Sequence, residues 1–121
     1  MAATASITIT GTIQATPAGG IQIGPLTITS AAANWQIQQI ALGIGTNTIT
    51  TPTAPAPTGV IIVFPAGSNV HTLKGVAGDT GIALGKNTIQ LMTWDPTAPP
   101  ASFVVNASAA DTGLDTEFIF F

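Results

Sequence analysis

The chain has 121 residues with only seven formally charged side chains, two Lys and five acidic, and neither Arg nor Cys. An average soluble domain of this length carries about 30 charged groups, so binding of nucleic acid by phosphate neutralisation is excluded, as is a coiled coil laced by charged flanking positions. An apolar content of 45% excludes charge-driven disorder, the missing cysteines exclude disulfides and thiolate chemistry, and no apolar run approaches the roughly 18 residues of a spanning helix.

At this length one domain is expected over residues 1–121, with a core able to bury about two thirds of the unfolded chain's surface. The start of the sequence lacks the basic and apolar regions of a signal peptide. Hydrophobicity then alternates with a period of two. Ile7, Ile9 and Ile13 alternate with Thr8, Thr10 and Thr12, which places isoleucine on one face of a strand and threonine on the other. Gly11 interrupts that apolar face and reads as a bulge or a point of close packing. Pro17-Ala-Gly-Gly20 is a turn. A second run from Ile21 and Ile23 is broken by Gly24-Pro25 and resumed by Leu26 and Ile28.

Ser30–Leu42 has two readings. Ser30 could cap a helix that Gly43 ends, whereas the alternation of Trp35 with Ile37, and of Ile40 with Leu42, favours a strand bulged at Gln38-Gln39. Pro52, Pro55 and Pro57 make the next segment an extended loop, because proline donates no ladder hydrogen bond. Val60-Ile61-Ile62-Val63-Phe64 is the strongest apolar run and predicts a central strand buried on both faces. Val70, Thr72 and Lys74 alternate with His71 and Leu73. Short runs follow at Ile82–Leu84 and Ile89–Thr93, then a second proline loop over Asp95–Pro100, a strand at Phe103–Val105, and a closing strand from Glu117 to Phe121. Eight to ten strands, with turns every 8 to 12 residues, predict an all-β antiparallel sandwich or jelly-roll barrel. A weak internal echo relates Ile40-Ala-Leu-Gly43 with Thr46-Asn-Thr-Ile49 to Ile82-Ala-Leu-Gly85 with Lys86-Asn-Thr-Ile89, and reads as recurring hairpin chemistry in preference to a true duplication, since a solenoid needs more copies.

Chemistry-bearing motifs are sparse. Asp-Thr-Gly occurs at Asp79 and at Asp111 and resembles the triplet of aspartic proteases, in which two carboxylates share a proton. Here Gly78 and Ala110 precede the aspartates in place of an apolar strand, and the copies are too close for a two-lobed enzyme. In a turn, Asp accepts backbone N–H bonds and Gly takes positive φ. His71 is the single histidine and reads as a half-buried strand residue, not a metal ligand. Asp111, Asp115 and Glu117 read as solvated turn residues without calcium-loop spacing. The Gly75–Gly81 loop lacks the Lys-Ser/Thr of a phosphate loop. No cofactor is expected. Trp35 and Trp94 fit either a sugar-stacking platform or core packing. The Thr-x-Thr ladders resemble those of ice-binding solenoids, yet lack a fixed repeat, so β-branched threonine filling solvent faces accounts for them.

Val63-Phe64-Pro65, then Thr72-Leu73-Lys74-Gly75-Val76 and Gly78-Asp79-Thr80-Gly81-Ile82-Ala83-Leu84, followed by the terminal Phe118-Ile119-Phe120-Phe121, resemble small virion structural proteins of tailed bacteriophages. The resemblance covers the middle of the chain and its end. It implies a non-enzymatic virion component, assembled in the host cytoplasm. That component is a capsid cement or decoration protein, or alternatively a tail, neck or fibre-attachment component. Its expected partners are its own copies, as a homotrimer, and other virion proteins such as the major capsid protein, with no nucleic acid or membrane. A carbohydrate-binding module is the alternative from another class. Pro52, Pro55, Pro57, Trp94, Pro99, Pro100, Phe120 and Phe121 are the candidate subunit or capsid contacts, being proline-loop and aromatic groups of the kind that anchor interfaces.

Overall fold

A computed structural model describes residues 6–14, 20–29, 36–54, 56–95 and 97–121. Among them there are ten strands and no helix. β1 (Ser6–Gln14) and β2 (Gly20–Thr29) pair antiparallel as a two-stranded ribbon. The other eight are β3 (Gln36–Ile40), β4 (Gly45–Thr50), β5 (Gly59–Val63), β6 (His71–Lys74), β7 (Ile82–Ala83), β8 (Ile89–Thr93), β9 (Ser102–Ala107) and β10 (Thr116–Phe120).

Their pairing is nested. β3 pairs with β10, β4 with β9, β5 with β8 and β6 with β7, so the chain is one long antiparallel ribbon doubled back between β6 and β7. Rolling that ribbon brings β10 beside β5 and β9 beside β6. Two four-stranded sheets result, β3-β10-β5-β8 and β4-β9-β6-β7, and every connection except β6–β7 crosses from one sheet to the other. This is jelly-roll winding, and the expected all-β antiparallel sandwich is what forms.

Alternation decides which side chains fill the space between the sheets. Val60, Ile62, Phe118 and Phe120 point in from one sheet, and Ile49, Phe103, Val105 and Ala107 from the other, all buried. Phe103 joins the layers, its ring 6.1 Å from Phe118 and 6.4 Å from Phe120, tilted against both, a geometry aromatic pairs favour. Leu42 and Leu84 pack at this core from the β3–β4 and β7–β8 connections. Those are inter-sheet crossings, so the internal echo repeats a crossing and not a hairpin. Asn47 sits in β4 and bonds Gly43 from both ends of its amide, whereas Asn87 is a turn residue at φ 54°, a conformation Asn tolerates.

Three local expectations are corrected. β3 is a strand, but its register with β10 runs from Gln36 to Ile40 without a bulge. The apparent slip arises because Ile37 faces outward while Ile40 faces the core. Trp35 and the rest of 30–35 lie outside the described residues. In the ribbon, Ile9 pairs with Leu26 and Gly11 with Ile23, so the bulge is on β2, with Gly24 and Pro25 opposite Thr10. Proline is at home there, where no ladder bond is required of it. Finally, β5 is a central strand but is buried on one face only. Val60 and Ile62 are buried, whereas Ile61 and Val63 are half-buried on the outer face.

Gly59 begins β5 where β8 and the chain end converge. A Cβ there would lie 2.4 Å from the Met92 carbonyl oxygen and 2.8 Å from the Phe121 ring. The first neighbour is backbone and cannot yield without moving β8. Gly59→Ala is therefore expected to cost about 1–3 kcal/mol by overpacking, read as a lower thermal midpoint. A midpoint within 1 °C of wild type would contradict the close approach.

Candidate functional site

The two proline loops meet at one end of the sandwich. Thr51 N–H donates to the Ala101 carbonyl at 3.0 Å, and Trp94 N–H to the Thr58 carbonyl at 3.0 Å. The Trp94 indole N–H donates to the Pro57 carbonyl at 2.7 Å, while its ring lies 6.5 Å from Phe120. Trp94 is half-buried and thus spans core and surface. Trp94→Phe keeps the apolar body but leaves that carbonyl unpaired, with an expected loss of about 1 kcal/mol, measurable by chemical denaturation. Asp95 opens the second loop. Its carboxylate accepts the Thr97 hydroxyl at 2.7 Å and the Thr97 N–H at 2.8 Å. These two bonds, the hydroxyl first, hold the Asp95 carboxyl below its ordinary range.

The structure brings most of the predicted contact residues to this end but divides them by depth. Pro99 is exposed and Pro52 and Pro100 are half-buried. Pro57 is fully buried, and Phe120 and Phe121 are 1% and 0% exposed, so these three are core groups that present no surface to a partner. Phe121 N–H donates to the Gly59 carbonyl at 3.1 Å, which continues the β10–β5 ladder to the last residue. Pro55 lies outside the described residues.

Beside this end, between the edge strands β7 and β8, is a groove of about 440 Å³ lined by Leu73, Ile82, Met92, Trp94 and Phe103, with Lys74 and Asp79 also on its wall. The Asp79 carboxylate accepts the N–H groups of Gly75 and Val76 at 3.1 and 2.9 Å. It therefore acts as the turn residue expected of Asp-Thr-Gly. The second Asp-Thr-Gly behaves differently. Asp111 is buried at the opposite end of the sandwich, where one oxygen meets His71 Nε2 at 2.8 Å and the other accepts the Asn69 amide at 2.6 Å. Phe64 stacks flat on the imidazole at a centroid distance of 4.0 Å. Two expectations are thereby corrected: Asp111 is not a solvated turn residue, and His71 is buried, not half-buried. Each aspartate is committed to different partners, and the geometry of a shared-proton dyad is absent from the pair. Among the described residues no three His, Asp or Glu side chains gather as a metal-binding group.

The outer faces of the two sheets differ in kind. On β4-β9-β6-β7 the outward positions are mostly polar, with Thr46, Thr48, Thr50, Ser102, Asn106, Thr72 and Lys74 around a buried Val104 and with Ala83 at the edge. On β3-β10-β5-β8 the register lines up Ile37, Ile119, Ile61 and Leu91 in one row across all four strands. The next row is Gln39, Glu117, Val63 and Ile89, in which Gln39 Nε2 donates to Glu117 Oε1 at 3.0 Å. Six of eight positions are aliphatic, and Ile37 and Ile89 are 61% and 65% exposed. The choice of contact residues by proline and aromatic character missed this face. Its signal was in the sequence: β5 reads as apolar on both faces, and the fold covers one. Comparisons with protein-family models, with curated proteins and with solved structures find no match to this chain.

Proposed function

We propose that this chain is a non-enzymatic structural protein of a phage virion, a cement or decoration protein that packs as a homotrimer on the outside of an assembled capsid. The observation that carries this reading is the aliphatic outer face of the β3-β10-β5-β8 sheet on a chain with almost no charge. A contiguous apolar patch on a small protein marks a contact surface, and few ions mean little desolvation cost when subunits close over it. The sequence resemblance to small virion proteins supports the same reading. The mechanism is mass action: a protein that binds the assembled shell but not its separated parts stabilises the shell by linkage, about 2.7 kcal/mol per site at a free concentration one hundred times Kd. Undecorated shells of the cognate virus are expected to carry the chain down on sedimentation and to melt at higher temperature once saturated. Absence of binding at saturating concentration overturns the proposal.

The groove beside Trp94 favours a second reading, a carbohydrate-binding module, since its volume is in the range of ligand sites. Under that reading Trp94→Ala abolishes retention on a glycan array, and a wild-type chain that binds no glycan disposes of it.

A further inference from the structure

We infer that the groove between β7 and β8 binds a small amphiphilic monocarboxylate, its aliphatic body filling the open side of the sandwich and its carboxylate meeting the ammonium of Lys74. The sandwich is not closed on this side. β8 has five residues, whereas β7, the edge strand of the other sheet, has two. Ile82 pairs directly with Leu73 and so points the same way, towards the space between the sheets, where Leu73 packs against the core. Yet Ile82 is 68% exposed. Met92 and Trp94 reach the core from β8 and its end and line the same groove. An inward-facing isoleucine left open to solvent marks an apolar filling that no described residue supplies. The groove's volume of about 440 Å³ is that of a small-ligand site.

One wall is the loop from Gly75 to Gly81, and its shape is fixed. Asp79 Oδ2 accepts the N–H groups of both Gly75 and Val76. Gly81 takes φ 77°, and a Cβ there would lie 2.6 Å from the Leu73 carbonyl oxygen and 2.6 Å from Lys74 Cγ. The loop rests directly on β6 and on the Lys74 stem because residue 81 is glycine. The first Asp-Thr-Gly thus builds a wall of the groove.

Lys74 and Asp79 are the charged residues that line it, and their situations differ. The Asp79 carboxylate is met by two backbone donors. Lys74 is half-buried, and its ammonium contacts the Ala77 carbonyl at 3.5 Å, longer than a well-formed hydrogen bond. Among the described residues it makes no ion pair. A partly desolvated ammonium with unspent donors selects an anion. Leu73, Ile82, Met92 and Phe103 select an apolar body and offer nothing to the hydroxyls of a sugar.

This site is independent of shell binding and of self-association, and it shares its groove with the sugar reading while naming another ligand. Calorimetric titration of the full chain with octanoate tests it, with 1-octanol as the neutral probe of equal length. Octanoate is expected to bind saturably and about tenfold more tightly than octanol. Hexanoate is expected to bind about fifteenfold more weakly than octanoate, about fourfold for each methylene withdrawn from the groove. Lys74→Met keeps the stem and removes the ammonium, so it is expected to bring octanoate to the affinity of octanol and to leave octanol unchanged. Ile82→Gln, at an exposed position, is expected to weaken both probes about fourfold. Unchanged thermal midpoints of the unliganded variants show that the fold is intact. No saturable binding of octanoate overturns the inference, as does equal affinity for octanoate and octanol. So does octanoate binding that Lys74→Met and Ile82→Gln leave unchanged, which places the ligand elsewhere. Octanoate bound by a chain that retains no glycan upholds the inference and removes the sugar reading. A neutral sugar bound by a chain that takes no octanoate does the reverse.

Discussion

Phe118→Ala is expected to destabilise the chain by about 3–5 kcal/mol, which at this size lowers the thermal midpoint by about 10–20 °C. Phe118 is fully buried at the middle of β10, a strand that pairs on both sides, with β3 and β5. Its ring tilts against Phe103 from the other sheet at 6.1 Å. Truncation removes the transfer energy of the ring and leaves a cavity between two sheets whose hydrogen-bonded ladders prevent collapse. It also removes an aromatic pair of about 0.5–1.5 kcal/mol. A native stability of about 5–15 kcal/mol makes that a large fraction of the whole. Phe118→Leu retains most of the volume and is expected to cost about 1–2 kcal/mol. Equal midpoints for the two variants would mean that the Phe103–Phe118 contact does not join the sheets.

Asp111→Ala is expected to cost about 3 kcal/mol, whether the imidazole it faces is charged or neutral. The carboxylate is the shared acceptor for His71 at 2.8 Å and Asn69 at 2.6 Å, in a site where both members of the pair are over nine-tenths buried. Its removal leaves a buried donor stacked under Phe64 with no partner. The backbone N–H of Asp111 donates to the Leu42 carbonyl, so the residue also pins the β9–β10 loop to the β3–β4 crossing. Replacing both partners, His71→Leu with Asp111→Leu, is expected to recover much of the loss, since the imidazole that needed the acceptor is gone and the Asn69 amide still donates to the Ala109 carbonyl at 3.3 Å. A double-mutant cycle by chemical denaturation reads the coupling. A coupling near zero would contradict the pairing.

The fold was largely legible because its signals are local. Period-two alternation marked the strands, and Gly and Pro clusters marked the ends of β4, β5 and β8. The faces of the strands were legible only where one side was polar, as at Thr46, Thr48 and Thr50. Ile37 and Ile40 looked out of phase because one serves the outside and the other the core, and no one-dimensional pattern separates that from a bulge. The buried pair of His71 and Asp111 was not legible, because it joins residues that only the rolled ribbon brings together. Proline and aromatic content located the end of the sandwich where the loops meet, but exaggerated its exposure. Phe120 and Phe121 are aromatic because the core is there. The aliphatic outer face depended on register across four strands, which the sequence does not display, although β5 carried its trace in Ile61 and Val63.

The cement reading includes the claim that this chain packs against copies of itself. Sedimentation equilibrium of the full chain over a wide concentration range tests it most directly. A trimer, or a higher closed assembly, that dissociates on dilution is the expected result. A strict monomer at the highest concentration attainable would contradict it.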